Sequence, residues 1–367
     1  MVRWGNNQKH SLEETMRHSQ AGAASRLART GAFALLLAAV AAVTSAVPAM
    51  AADYKAEYKL STVVGEAFPW GFGGKRWAEL VREKTDGRIN VKMYPGAALV
   101  GGDQTKEFTA LRQGSIDFAV GSTINWSPQV KELNLFALPF LMPDHKAIDA
   151  LTKGEVGKDL FKLLATKDVV PLAWGENGFR EVSNSKHAIR TPADLKGLKI
   201  RVVGSPLFVD TMTALGGNPA QMSWADAQPA MATKAVDGQE NPLGIFAAAK
   251  LHTVSQTNLT LWGYVADPLI FVVNSKVWES WSEADRVAVR EAAEQAAVEE
   301  IAMARKGLTA EDSSLIDQIK ANGVEVVTLT EAEKQPFQEA TKDVYAKWKK
   351  TVGEDLVNKA EAAISAR

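Results

Sequence analysis

The 367-residue sequence contains no cysteine. Disulfide staples, thiolate nucleophiles, cysteine-based zinc sites and a lipid-modified cysteine behind the N-terminal apolar run are all excluded, so stability has to come from the core. Histidine is scarce: beyond residue 51 only His145, His187 and His252 remain, none at metal-ligand spacing. Net charge is small as well. Beyond residue 51 the chain has 37 basic residues against 41 acidic ones, which leaves no electrostatic footprint for nucleic acid. The run Phe72-Gly73-Gly74-Lys75-Arg76 is not a phosphate loop, because the first glycine is misplaced and Arg76 stands where a hydroxyl residue should bind magnesium. The expectation is therefore a protein without a metal, without a cofactor and without catalytic groups.

Charge is missing altogether from residues 30–52, which lie behind Arg26 and Arg29 and end in Pro48-Ala49-Met50-Ala51, a small-x-small pattern. This predicts a secretory signal peptide over 1–51, cleaved after Ala51. A retained membrane helix is the alternative, since a bilayer needs about 20 apolar residues. The alanine-rich second half and Pro48 argue for cleavage. Met16-Arg17 makes the more ordinary signal start, so translation is expected to begin at Met16.

Residues 52–367 have an ordinary globular composition suited to two lobes, with strand and helix patterns in alternation. Residues 58–63 alternate as a strand, a helix is expected around 73–85 with Trp77, Leu80 and Val81 on one face, and 89–94 alternate again. Asp103 is the expected N-cap of a helix running to Gln113, ahead of a strand at 116–120. Such alternation favours α/β lobes with mainly parallel sheets. A faint echo supports two similar lobes: Ala110-Leu111-Arg112-Gln113-Gly114-Ser115-Ile116-Asp117 and Ala230-Met231-Ala232-Thr233-Lys234-Ala235-Val236-Asp237 both read as helix end, turn, and strand start. From Ser282, an N-cap with Glu283 and Asp285 in the first turn, helix formers continue to Lys320, with Gly307 as the one point of interruption. Thr330 and Glu333 form a capping box for a C-terminal helix in which Pro336 limits regularity.

Three polar clusters stand out between Trp174 and Pro242. Arg201 ends the alternating strand 198–203, and Ser205 with Pro206 starts a helix behind it. The carboxyl end of a parallel strand faces the ligand crevice, where a planar guanidinium grips a carboxylate with two parallel bonds. Arg180 lies in the glycine-bracketed segment Gly175 to Arg180, behind the apolar strand 169–173, and a surface or ion-paired arginine is an equal reading of it. Asn241 precedes Pro242 and offers both a donor and an acceptor, although alone it is only a turn signal. Trp224, Trp126 and Trp262 fall behind N-caps or near strand ends, where aromatics are more often core than ligand platform.

The runs Gly178-Phe179-Arg180-Glu181-Val182-Ser183-Asn184-Ser185-Lys186, Thr191-Pro192-Ala193-Asp194-Leu195-Lys196-Gly197-Leu198-Lys199-Ile200-Arg201-Val202 and Val236-Asp237-Gly238-Gln239-Glu240-Asn241-Pro242, with Leu138-Pro139-Phe140-Leu141, resemble the solute-binding subunits of tripartite ATP-independent periplasmic (TRAP) transporters, the DctP family. That resemblance implies a periplasmic-binding-protein fold, two α/β lobes around a ligand cleft with a long helix crossing both. Lobe 1 is expected over 52–178 plus 267–306, and lobe 2 over 179–266 plus 307–367. It implies a monomer that captures a C4-dicarboxylate, sugar acid or related carboxylate and delivers it to small and large membrane subunits driven by an ion gradient. By the same resemblance Arg201, Arg180, Asn241 and Trp224 bind the ligand, with further contacts from Glu66, Phe68, Asp103, Ser122, Asn125 and Trp126. Trp126 and Trp262, if they reach the solute, favour a sugar acid or aromatic acid. A periplasmic enzyme on a carboxylated sugar and a solute sensor for a receptor are the two other readings these residues allow.

Overall fold

The computed structural model describes residues 54–309 and 311–367. The signal peptide, its cleavage point and the start at Met16 lie outside the described residues. The first strand, β1 (Tyr58–Ser61), leads into helix α1 (Pro69–Lys84), which starts at a proline in its first turn and buries Trp70, Trp77, Leu80 and Val81. β2 (Val91–Tyr94) then pairs in parallel with β1. Asp103 is an N-cap as expected, its side chain accepting from the Thr105 N–H, but it heads a 3-10 turn, Gln104–Lys106, before α2 (Glu107–Arg112). β3 (Phe118–Ser122) closes this first unit beside β1.

Helices α3 (His145–Lys153) and α4 (Glu155–Ala165) precede β4 (Val169–Asn184), a strand of 16 residues. The glycine-bracketed segment is therefore not a separate loop. It continues the strand, with register slips at Pro171/Ala173 and Glu176/Gly178 and with Gly178 at φ 115°. An added residue bends a strand and increases its twist, and here the bend hands β4 from one sheet to the next. Val169 to Phe179 pair with β9 (Ala266–Asn274), whereas Arg180 to Asn184 pair with β7 (Gly238–Pro242) and, in part, with β8 (Asn258–Leu261).

The second unit repeats the first: β5 (Lys199–Val202), α5 (Pro206–Ala214), β6 (Asn218–Gln221), α6 (Trp224–Ala232) and then β7. The strand order is β2-β1-β3-β9-β4-β7-β5-β6, with β8 on β4 and β10 (Glu325–Thr328) on β8. Pairs within each unit are parallel, and every antiparallel pair involves β4 or β9, the two strands that carry the chain between units. The sheets are thus mixed rather than mainly parallel.

The eight-residue echo is structural. Asp117 accepts the Lys59 N–H at 2.8 Å and returns its own N–H to the Lys59 carbonyl; Asp237 does the same with Lys199 at 2.9 Å.

α7 (Glu283–Arg305) packs on α1 and β4 through Ala292, Ala293, Ala296 and Ala297, whose small side chains allow a close approach. It ends at Arg305, ahead of Gly307 at φ 76°, and α8 (Ser314–Ala321) is separate, so the expected run to Lys320 is two helices. Thr330 and Glu333 form the capping box of α9 (Glu331–Val352), which takes Pro336 within its length, and α10 (Glu354–Ser365) comes last.

Burial raises the pKa of three acids in this framework. Glu300 on α7 accepts the Glu176 N–H at 2.9 Å, its other oxygen has no partner among the described residues, and burial raises its pKa well above normal. Burial likewise pushes Glu181 up to about 8, against the Gly263 and Trp262 N–H groups, and Glu107 up to about 7, against Ser61. Between pH 5 and 8.5 the folded chain therefore binds more protons than the unfolded one. The stabilisation is complete below the unfolded carboxyl pKa and is lost as pH rises to each folded pKa, about 7 for Glu107 and about 8 for Glu181, with a slope of about 1.4 kcal/mol per pH unit for each acid. Acids held low, such as Glu176 and Asp285, are ionised in both states over this window and add no slope. Thermal melts should show a higher Tm at pH 5.5 than at pH 8.5, and Glu181→Gln should flatten that difference. A Tm that climbs over this range would contradict the assignment.

Candidate functional site

The carboxyl ends of β1 and β5, the β4/β9 crossing and the N-termini of the helices behind them border a narrow, partly open cavity, whose empty space of about 310 Å³ includes open solvent. Its polar lining is Arg201, Arg180, Asn125, Asn177, Asn241, Gln104 and Asp267, and its apolar lining is Val63, Val64, Trp70, Val203, Trp224 and Ile245.

Both arginines are buried, yet their surroundings differ. Arg180 donates through Nε and Nη2 to the Glu240 carboxylate, through Nη2 to the Glu240 carbonyl at 2.7 Å, and through Nη1 to Asp267 at 2.9 Å. Burial works against its charge, but Glu240 and Asp267 outweigh burial and hold its pKa above the usual value. Glu240 also accepts the Tyr264 hydroxyl at 3.0 Å, while Asp267 accepts from Ser122 at 2.5 Å and from Asn177 at 2.8 Å. Arg180, Tyr264, Ser122 and Asn177 are thereby committed to these two acids.

Arg201 is 1% exposed and bonds only to the Met222 carbonyl, from Nε at 3.2 Å and Nη2 at 2.9 Å; among the described residues it makes no ion pair. The Trp224 ring lies 5.8 Å from its guanidinium carbon. Burial pushes its pKa down to about 10, against the attraction of Glu240 and with a smaller push from Arg180. A buried cation without an anion is costly unless something supplies the missing charge. The cavity in front of Arg201 is where that charge fits.

Of the residues singled out from sequence, Arg201, Arg180, Asn241, Trp224 and Asn125 meet at this cavity. Asn241 donates to Gln239 Oε1 at 2.5 Å from the strand-to-helix junction at Pro242. Ser122 stands one bond back, holding Asp267 and capping the short helix Thr123–Trp126. Asp103 faces an outer opening beside Gln104. Glu66 is at the surface, paired with Lys75, and Phe68 precedes α1 as a half-buried side chain against the core. Trp126 and Trp262 do not line the cavity: both are 0% exposed, Trp126 against Phe108 and Trp262 against Tyr264. Gly121 explains Trp126, because a Cβ there would lie 1.8 Å from the indole. Sequence reasoning missed Asp267, Asn177, Gln104 and, Trp224 apart, the apolar lining. A lone acid inside the aliphatic run of β9 was the available signal for Asp267.

The family described as DctP, bacterial extracellular solute-binding protein, family 7, matches residues 60–351. The 2,3-diketo-L-gulonate-binding periplasmic protein of Escherichia coli is 33% identical over 270 residues, 72% of this chain and 78% of that protein. The C4-dicarboxylate-binding periplasmic protein of Vibrio cholerae is 30% identical over 331 residues, 90% of this chain and 97% of that protein. Among solved structures, a TRAP periplasmic solute-binding protein from Ralstonia eutropha with bound (S)-2-hydroxy-2-methyl-3-oxobutanoate has 66% identity and a TM-score of 0.85, over 86% of this chain and 100% of that one. A sugar acid binding protein from Advenella mimigardefordensis with galactonate has 27% identity and a TM-score of 0.79, over 84% of this chain and 98% of that one.

The two arginines should respond oppositely to removal. Arg180→Met leaves Glu240 and Asp267 buried without their cation and is expected to cost about 3–5 kcal/mol. Arg201→Met removes an unmatched charge, so the ligand-free variant should be at least as stable as the parent in urea melts. Equal destabilisation by both would show that Arg201 has a partner.

Proposed function

Because the chain belongs to the DctP family of bacterial extracellular solute-binding proteins, we propose that it captures a short, branched 2-hydroxy or 2-oxo monocarboxylate in the periplasm. One observation carries the choice: among the described residues Arg201 is the single cation lining the cavity that makes no ion pair, and Val63, Val64, Trp70, Val203, Trp224 and Ile245 give the same cavity an apolar surface. The ligand carboxylate pairs with the Arg201 fork. A second carboxylate would have no free cation to meet and would approach Asp267, which disfavours a C4-dicarboxylate. A polyhydroxylated sugar acid would press hydroxyls against Val63, Val64 and Ile245, where nothing can bond them. Asn125, Asn177 and Asn241 suffice for one or two oxygens next to the carboxylate. The ligand in the Ralstonia eutropha relative has this chemistry. The aromatic-acid argument lapses with Trp126 and Trp262 in the core.

Delivery to small and large TRAP membrane subunits, monomeric action and export by a signal peptide cleaved after Ala51 belong to the same proposal; the periplasmic relatives support the export. No helix among the described residues is long and apolar enough to cross a membrane. The lobe limits 52–178 plus 267–306 and 179–266 plus 307–367 are supported by the change of β4 partners between Phe179 and Arg180. The enzymatic reading needs a free base, and Asp267, the carboxylate in the cavity, is engaged by Arg180, Ser122 and Asn177.

Thermal-shift and calorimetric titrations of residues 52–367 test this directly. At a thousandfold excess over Kd a ligand adds about 4 kcal/mol, so 2-hydroxy-2-methyl-3-oxobutanoate should raise Tm by several degrees and be recovered unchanged. Galactonate and succinate should shift it less. Arg201→Lys should weaken binding at least tenfold, since an ammonium cannot form the paired bonds. Stronger stabilisation by succinate would defeat the monocarboxylate reading, and conversion of the acid would defeat binding without chemistry.

A further inference from the structure

The amide of Gln104 crosses the cleft. Gln104 is 2% exposed and opens the 3-10 turn behind Asp103, on the β1–β3 side. Its Oε1 accepts the Trp224 N–H at 3.1 Å, 120 residues away on the β5–β7 side. That N–H is one of the first-turn donors of α6, which lack partners within their own helix. The two groups occupy matching positions in the repeated units, each directly after an N-cap, Asp103 in one and Ser223 in the other.

Three features give this bond a role. The segment it grips, Met222 to Trp224, is the one that holds Arg201, through the Met222 carbonyl and the Trp224 ring. Gln104 also lines both the inner cavity and an outer opening bounded by Asp103, Thr105, Gly204 and Ser223, so its side chain stands between the two spaces. Around it the two sides approach so closely that a Cβ on Gly204 would sit 2.8 Å from Thr105 Cγ2.

We propose that Gln104 is the positioning residue that keeps the cavity closed over its solute, acting through Met222 and Trp224 on Arg201 and setting the rate of release. This rests on the solute-binding reading for its purpose but not for its first test. The chain has no cysteine, so a single engineered pair can report closure. Thr105→Cys with Gly204→Cys places two thiols within bridging reach only when the sides meet. In the ligand-free protein, disulfide formation should be about tenfold slower on a Gln104→Met background, which preserves volume and removes the acceptor. Gln104→Glu, which keeps an acceptor at the same reach, should restore the parent rate. Thermal melts should show all three backgrounds equally folded, as a merely structural role would not predict. In the second arm, stopped-flow fluorescence with 2-hydroxy-2-methyl-3-oxobutanoate should show release about tenfold faster in Gln104→Met with association within twofold. Equal cross-linking rates in the parent and Gln104→Met overturn the proposal whatever the ligand. Different cross-linking rates, with no response of the parent to the acid, uphold Gln104 and overturn the ligand assignment instead.

Discussion

Two guanidinium groups sit buried in one cavity, and only one of them is neutralised. Arg180 holds Glu240 and Asp267, and through them Tyr264, Ser122 and Asn177, in a network that joins β3, β4, β7 and β9. These are the strands on which the two sheets meet, so the network fixes the crossing against sliding. Arg201 receives nothing comparable. Its carbonyl partner at Met222 orients the fork without cancelling the charge, and the proposed ligand class follows from that unmatched charge.

The backbone serves that arrangement by symmetry. Each unit brings a parallel strand to the cleft and places an N-capped turn behind its second strand, and each is locked by an aspartate that clips the neighbouring strand's backbone, Asp117 on Lys59 and Asp237 on Lys199. The repeat places Ser61 where the other unit has Arg201, since Lys59 and Lys199 are matched positions. Ser61 turns to the buried Glu107, whereas Arg201 turns to the cavity. One unit therefore supplies the charge and the other mainly shape, through Val63, Val64, Trp70 and Gln104.

Much of this was legible from residue order, and the reasons differ by element. Arg201 showed itself because a strand, a glycine, an N-cap and a first-turn proline stand in succession, a pattern that local chemistry determines. The Asp117 and Asp237 echo was readable because the same clip needs the same residues. Arg180 was ambiguous for a physical reason: its partners, Glu240 and Asp267, are 60 and 87 residues distant, and no local pattern announces a long-range ion pair. Trp126 and Trp262 had the composition of a ligand platform, but orientation decides that role, and the Trp126 ring folds back over Gly121, five residues earlier in β3, where only a glycine leaves it space. The break of α7 at Arg305 was partly visible as Gly307. What continues β4 through Gly175 and Gly178 is pairing with β9 and β7, which propensity cannot supply.

The unmatched arginine also bears on how a binding protein avoids closing on nothing. On the solute-binding reading, drawing the two sides together strips water from Arg201, and its depressed pKa measures how unwelcome the bare charge is there. With a carboxylate in place the same step exchanges water for a paired anion, and the desolvation cost is largely offset. Contacts that hold the sides together without reference to ligand, such as Gln104 on Trp224 and Thr105 beside Gly204, need only be strong enough to finish a closure that the ion pair permits. A ligand shifts a conformational equilibrium only by its differential affinity for the two states. On the proposed reading that difference resides in the Arg201 guanidinium, so selectivity for a carboxylate and the drive to close would be the same interaction.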